Sequence, residues 1–278
     1  MSFLVLLLAV WVEKFSALRQ RVQRDGPWLH QLARLESSPR TAKRPWLILV
    51  LSVLLPVLVL ALLLQIIGSV AYGWLALPVH LLVLIYSLGR GDVKANLGSF
   101  RDACRRGDQE AAVLVAHRDL GVEADTQEQL IEGAQRYLLW QIYQGFFAVI
   151  FWYFVLGPVA ALAYRLLALT VEDGKSPALV ERATQLRHAF DWVPVRLLAA
   201  SFALVGNFVA VGRVMLSELL NWNISAAQLI TKSGCVAGEV PAPVMGVEGV
   251  NSLNVLWELL IRAAIVWYAG FALWTLFV

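Results

Sequence analysis

Along much of this chain apolar residues do not alternate with polar ones but come in long blocks. From Trp46 to Gly89 there is no Asp, Glu, Lys or Arg. A soluble amphipathic helix turns a polar face to water about every 3.6 residues; this stretch has no charged face at all. A helix needs about 20 apolar residues to cross a bilayer, so the block is long enough for two. The turn is expected between Ile67 and Gly73, where Gly68, Ser69 and Gly73 cluster. Pro56 and Pro78 fall inside the helices, a placement that membrane helices tolerate.

Leu138–Tyr164 is also free of charge, long for one span and too short for two. Gly157-Pro158 interrupts it, giving either one kinked helix or a span followed by a re-entrant turn. Leu197–Gly212 is a shorter apolar run. Ala263–Val278 is the last, extended backwards by a helix holding Trp257 and Arg262. Between the blocks, Arg90–Arg136 is mixed in charge, with Phe100, Ala103, Cys104, Ala111, Leu114 and Val115 at helical spacing. Gly107 interrupts this segment, Asp108 caps a second helix running to His117, and Thr126 with Gln129 forms a capping box. Ser2–Val12 is apolar but too short to span. It lacks a basic lead and a cleavage site, and is expected to be an interfacial or partly inserted helix.

The pattern thus predicts an all-α, polytopic helical integral membrane protein with a small cytoplasmic helical subdomain. The divisions are 1–45 (interfacial helix and basic segment), 46–89 (transmembrane hairpin) and 90–137 (cytoplasmic subdomain). They continue with 138–212 (membrane core), 213–255 (polar connection) and 256–278 (last transmembrane helix). Composition agrees: 59% of residues are hydrophobic and 15% charged, against about 25% charged in soluble domains.

Charge adds orientation. Lys14, Arg19, Arg21, Arg24, Arg34, Arg40, Lys43 and Arg44 precede the hairpin; Arg90, Lys94, Arg101, Arg105 and Arg106 follow it. Basic flanks stay in the cytoplasm, so both ends are assigned inside, with Trp46 and Trp74 in the aromatic belts. If Leu138–Tyr164 simply crosses, the loop with Arg165, Lys175, Arg182, Arg187 and Arg196 lies outside. If Gly157-Pro158 turns the chain back, that loop is cytoplasmic and the stretch around Lys232 is periplasmic. The second arrangement fits the charge rule better.

Familiar chemistry is scarce. Cys104 and Cys235 are far apart and make neither a metal pair nor a disulfide framework. His30, His80, His117 and His188 have no ligand neighbour at helical spacing, so no metal and no cofactor is expected. His80, inside the hairpin, is expected to hydrogen-bond a neighbouring helix. Gly174-Lys175-Ser176 resembles the end of a phosphate loop, but Leu169 stands where that pattern needs glycine. No basic aromatic strand points to nucleic acid. The remaining candidates are Tyr164 and Arg165, closing one apolar run, and Asp191 and Arg196, opening the next. Two arginines at membrane edges can grip a phosphate or carboxylate, with Asp191 pairing to either. The plainer reading has the arginines snorkelling and Asp191 capping a helix.

The same residues carry a family resemblance. Phe151-Trp152-Tyr153, Gly157-Pro158, Ala161-Leu162-Ala163-Tyr164-Arg165 and Asp191-Trp192-Val193-Pro194-Val195-Arg196-Leu197 resemble the adenosylcobinamide-phosphate synthases, membrane amidation enzymes of cobalamin assembly. Within that group the wording is closer to the AmpE family, and most distinctive over Phe151–Asn207. This resemblance implies an inner-membrane protein encoded beside a peptidoglycan-recycling amidase and linked to β-lactamase induction. The synthases carry a Glu-Asn-Thr block where this chain has Trp140-Gln141-Ile142-Tyr143-Gln144. Their Asn-Thr-Leu-Asp block is replaced by Leu167–Asp173, with the carboxylates displaced to Glu172 and Asp173. ATP-dependent condensation needs carboxylates to hold Mg²⁺.

Three readings follow. The first is a non-catalytic regulator or sensor, bound in the bilayer. It would take a cell-wall-derived anionic ligand near Tyr164, Arg165, Glu172, Asp173, Asp191 and Arg196, or a cytoplasmic protein partner. The second is an amide-forming enzyme with Glu172 and Asp173 in the lost carboxylates' place. A transporter ranks last, because Gly157-Pro158 has no matching break elsewhere.

Overall fold

A computed structural model describes Val5 and residues 22–68, 76–241 and 243–277. The expected helix over Ser2–Val12, the hairpin turn and Trp74 lie outside the described residues. Among those described, the secondary structure is helical and no strand occurs. Among the described residues four helices, Pro45–Gly68, Gln127–Leu156, Pro177–Val205 and Val247–Thr275, are long and apolar enough to cross a membrane. The chain divides into two compact units, Met1–Leu88 with Ala148–Asp191 and Gly89–Phe147 with Trp192–Val278.

The first unit begins with α1, Gly26–Ser37, and α2, Pro45–Gly68. Leu54, Leu58, Leu62 and Ile66 of α2 are exposed, Ile66 at 67%, a continuous apolar band that water would not stabilise. Pro56 lacks the N–H that the Ser52 carbonyl would accept in an ordinary helix. The helix widens to a π turn over Val50–Leu54, and the buried Trp28 indole N–H donates to Ser52 O at 3.0 Å. A membrane helix with an internal proline must satisfy the orphaned carbonyl from elsewhere, and here α1 supplies the donor. The short α3, Ala76–Ser87, carries His80, whose Nδ1 lies 3.1 Å from Tyr153 Oη, as expected of a polar residue bonded to a neighbouring helix.

In the same unit Gly157 breaks the apolar run. Its φ of 78° is left-handed and favours glycine, and Pro158 starts the next helix without needing a donor. The helix before the break is α7, Gln127–Leu156, and the one after it α8, Pro158–Asp173. α8 packs back on the end of α7 and against α2 and α3, so Gly157-Pro158 reverses the chain rather than merely bending a helix. Trp28, Leu32, Ile48, Leu49, Leu166 and Leu179 share the core. What the sequence suggested as a basic loop over Arg165–Arg196 is instead α8, three linking residues and α9, Pro177–Val205. Pro194 is accommodated inside α9.

The second unit contains α4, Val93–Asn96, and α5, Gly98–Arg106, with Asp92 capping the Lys94 and Ala95 amides. Gly107 ends α5 with a left-handed φ of 71°. Asp108 caps α6, Gln109–Val115, which continues as a π turn to Leu120. Phe100, Ala103 and Cys104 are buried as expected, but Leu114 is 67% exposed and Ala112 and Ala116 face inward instead. Thr126 caps α7, while Gln129 Oε1 accepts from Asp125 N rather than closing the capping box on Thr126. The segment 213–255, expected to be polar connection, holds the end of α10 (Phe208–Glu218), all of α11 (Ala226–Ala237) and the start of α12 (Val247–Phe277). Gln135 Nε2 donates to Ser252 Oγ across the buried contact of α7 and α12 at 2.9 Å.

Candidate functional site

The buried charges of the first unit gather between α8 and α9. Tyr164, fully buried on α8, donates its hydroxyl to Asp191 Oδ1 on α9 at 2.8 Å. The other carboxylate oxygen faces Arg187 Nε at 3.7 Å, one helical turn earlier on α9. The Arg187 guanidinium also lies over the Tyr164 ring, 5.9 Å from its centroid. Arg187 and Asp191 are 5% and 3% exposed, so this is an ion pair removed from water. Removing one member of such a pair destabilises far more than forming it stabilises. Glu172, exposed at the end of α8, acts electrostatically on Arg187.

Arg165 is likewise buried on α8, and its charge acts on Asp173. Although Asp173 is exposed, partial desolvation by nearby protein atoms raises its carboxyl above the ordinary carboxylate range, with Asp25 adding to the rise and Arg165 opposing it. Glu172 and Asp173 are consecutive on one helix, so their side chains leave it about 100° apart.

Of the residues singled out in the sequence, Tyr164 and Asp191 are joined directly. Asp191 stands inside α9 and is not a helix cap. Arg187, which pattern reading placed among loop charges, is its ionic partner. The available signal was the i, i+4 spacing of Arg187 and Asp191. Arg196 belongs to the second unit. Its guanidinium donates to the carbonyls of Trp192, Glu218, Leu219 and Asn221 at 2.6–3.3 Å and lies 4.2 Å from the Trp192 ring centroid. These donors close the C-terminal end of α10.

Helices long enough to span, apolar outer faces and charges paired inside a helical packing define a helical membrane protein. The chain belongs to the AmpE family: the model of the regulatory signalling modulator protein AmpE matches residues 1–236. It is similar to Protein AmpE of Shigella flexneri, 27% identical over 183 residues, an alignment covering 62% of this chain and 64% of that protein. The chain therefore aligns with less than two thirds of that relative's length. No solved structure matches it significantly.

Proposed function

We propose that this chain is a non-catalytic, multi-pass regulator of the bacterial inner membrane that couples a cell-wall-derived anionic ligand, or a cytoplasmic partner, to β-lactamase induction and peptidoglycan recycling. The observation that carries this reading is the family match to a regulatory signalling modulator over residues 1–236. The site geometry supports it. Tyr164, Arg187 and Asp191 form a buried set in which both carboxylate oxygens are engaged. An anion that competed with Asp191 for Arg187 would loosen the tie between α8 and α9, a discrete change of the kind a regulator transmits.

The alternative is an amide-forming enzyme related to the adenosylcobinamide-phosphate synthases. It needs carboxylates converging on Mg²⁺, whereas Glu172 and Asp173 diverge on one helix, within the electrostatic reach of Arg187 and Arg165 respectively.

The test is β-lactamase induction in cells lacking this gene and supplied with variants at matched membrane levels. Glu172→Gln with Asp173→Asn is expected to restore wild-type induction, while Arg187→Lys and Asp191→Asn change it severalfold. Loss of function in the double amide variant, with saturable Mg-ATP binding by the wild-type protein, would replace this reading with the enzyme. Induction unaltered by the wild-type gene would overturn it.

A further inference from the structure

We propose that the cavity between α1 and the start of α9 binds a phosphate-bearing anion at the membrane surface. The cavity, of about 620 Å³, is lined by His30, Arg34, Glu36, Ser37, Lys175 and Ser176, within the usual size of ligand pockets, roughly 300–1,000 Å³. His30 and Arg34 are one turn apart on α1 and so share a face. Among the described residues neither Arg34 nor Lys175 is paired with a carboxylate. With Glu36 counted, the lining keeps an excess of positive charge.

The cavity also already holds an anion of the protein's own. Glu36 Oε1 accepts from the backbone amides of both Lys175 and Ser176 at 2.9 Å, just ahead of Pro177 where α9 begins. Amides that lead into a helix favour a negative oxygen. An incoming phosphate would share these amides with Glu36 or take them from it, while Arg34 and Lys175 neutralise it.

Position indicates how such a ligand arrives. Arg182 of α9 lies over the Trp46 ring, 6.0 Å from its centroid, which puts the beginning of α9 beside the beginning of the α2 span. Arg40, Lys43 and Arg44 immediately precede that span. Aromatic and basic residues of this kind mark the headgroup level. The phosphate could belong to an anionic lipid or be free in solution. This site is independent of the Tyr164–Arg187–Asp191 set, so either proposal can fail alone.

The experiment uses the full chain with two probes: inorganic phosphate added to detergent-solubilised protein and followed by calorimetry, and nanodiscs of phosphatidylcholine with or without phosphatidylglycerol, with co-purifying lipid read by native mass spectrometry. Binding of phosphate alone identifies a soluble ligand; retention of phosphatidylglycerol identifies a lipid headgroup. In whichever arm the wild type binds, Arg34→Ala with Lys175→Ala is expected to weaken binding about tenfold. Arg105→Ala with Arg106→Ala, the same charge change on α5, should leave it unaltered. Glu36→Gln, which keeps an acceptor for the amides but removes the competing charge, should strengthen it severalfold. Failure of the folded wild type in both arms, equal loss in the control, or no gain in Glu36→Gln would overturn the proposal.

Discussion

The backbone of Gly89 lies directly against that of Gly145. The Gly89 amide donates to the Gly145 carbonyl at 2.7 Å, and a Cβ built on Gly89 would stand 2.7 Å from the Gly145 Cα. Gly145 sits in the π turn Tyr143–Phe147 of α7. Such turns displace the local backbone, and only residues without side chains allow this approach. Gly145→Ala should therefore destabilise the protein by about 1–3 kcal/mol through overpacking. Thermal unfolding in detergent would measure it. An unchanged midpoint would mean that the contact is not maintained in the folded protein.

The Tyr164–Asp191–Arg187 set makes a nonadditive prediction. Tyr164→Phe removes one bond to a buried charged group and should destabilise by roughly 1.5–3 kcal/mol. Arg187→Ala strands Asp191 and should be worse, about 3–5 kcal/mol. Replacing Arg187 and Asp191 together by leucine should be milder than Arg187→Ala alone. A double-mutant cycle on unfolding midpoints checks this, and additive losses would argue against a buried pair.

Trp28 and Pro56 are coupled through the Ser52 carbonyl. Trp28→Phe leaves that carbonyl without its indole donor and should destabilise by roughly 1–3 kcal/mol. Adding Pro56→Ala restores a helical N–H at the position that ordinarily serves Ser52. The double variant should therefore recover a good part of the loss, which denaturation of both proteins would reveal.

Burial pushes the Cys104 thiol up to about 11. The side chain is also fully buried, so an alkylating reagent reaches it only through local opening, and its labelling at pH 8 should be at least about tenfold slower than that of an exposed cysteine. Labelling of a Cys235→Ser protein in detergent at pH 8, before and after denaturation, would test this, and equal rates in the two states would contradict it.

Local physics left clear marks in the sequence. The charge-free block from Trp46 became α2 and α3 because a bilayer-length apolar run has few other outcomes. Gly107 and Asp108 ended and began helices through their own backbone and side-chain bonding. Gly157-Pro158 announced a break, although whether it bent or reversed the chain depended on what α8 packed against. Arg187 was hidden for a related reason. Its i, i+4 relation to Asp191 matters only once the charges after Gly174 are seen to lie on one helix, Pro177–Val205, rather than in a loop, and the pair becomes significant only where packing against Tyr164 buries it.

By itself, then, the sequence determined helicity, the apolar lengths that suit a membrane, most caps, and Tyr164 and Asp191 as residues of interest, because these follow from periodicity, charge and the bonding of near neighbours. Tertiary structure decided the partners. Arg187 joined Asp191 and Tyr164, Arg196 turned to the carbonyls ending α10, Trp28 found Ser52, and Gly89 met Gly145. Each of these depends on which faces of distant helices come together, and a buried polar group is satisfied by whatever donor or acceptor that packing delivers.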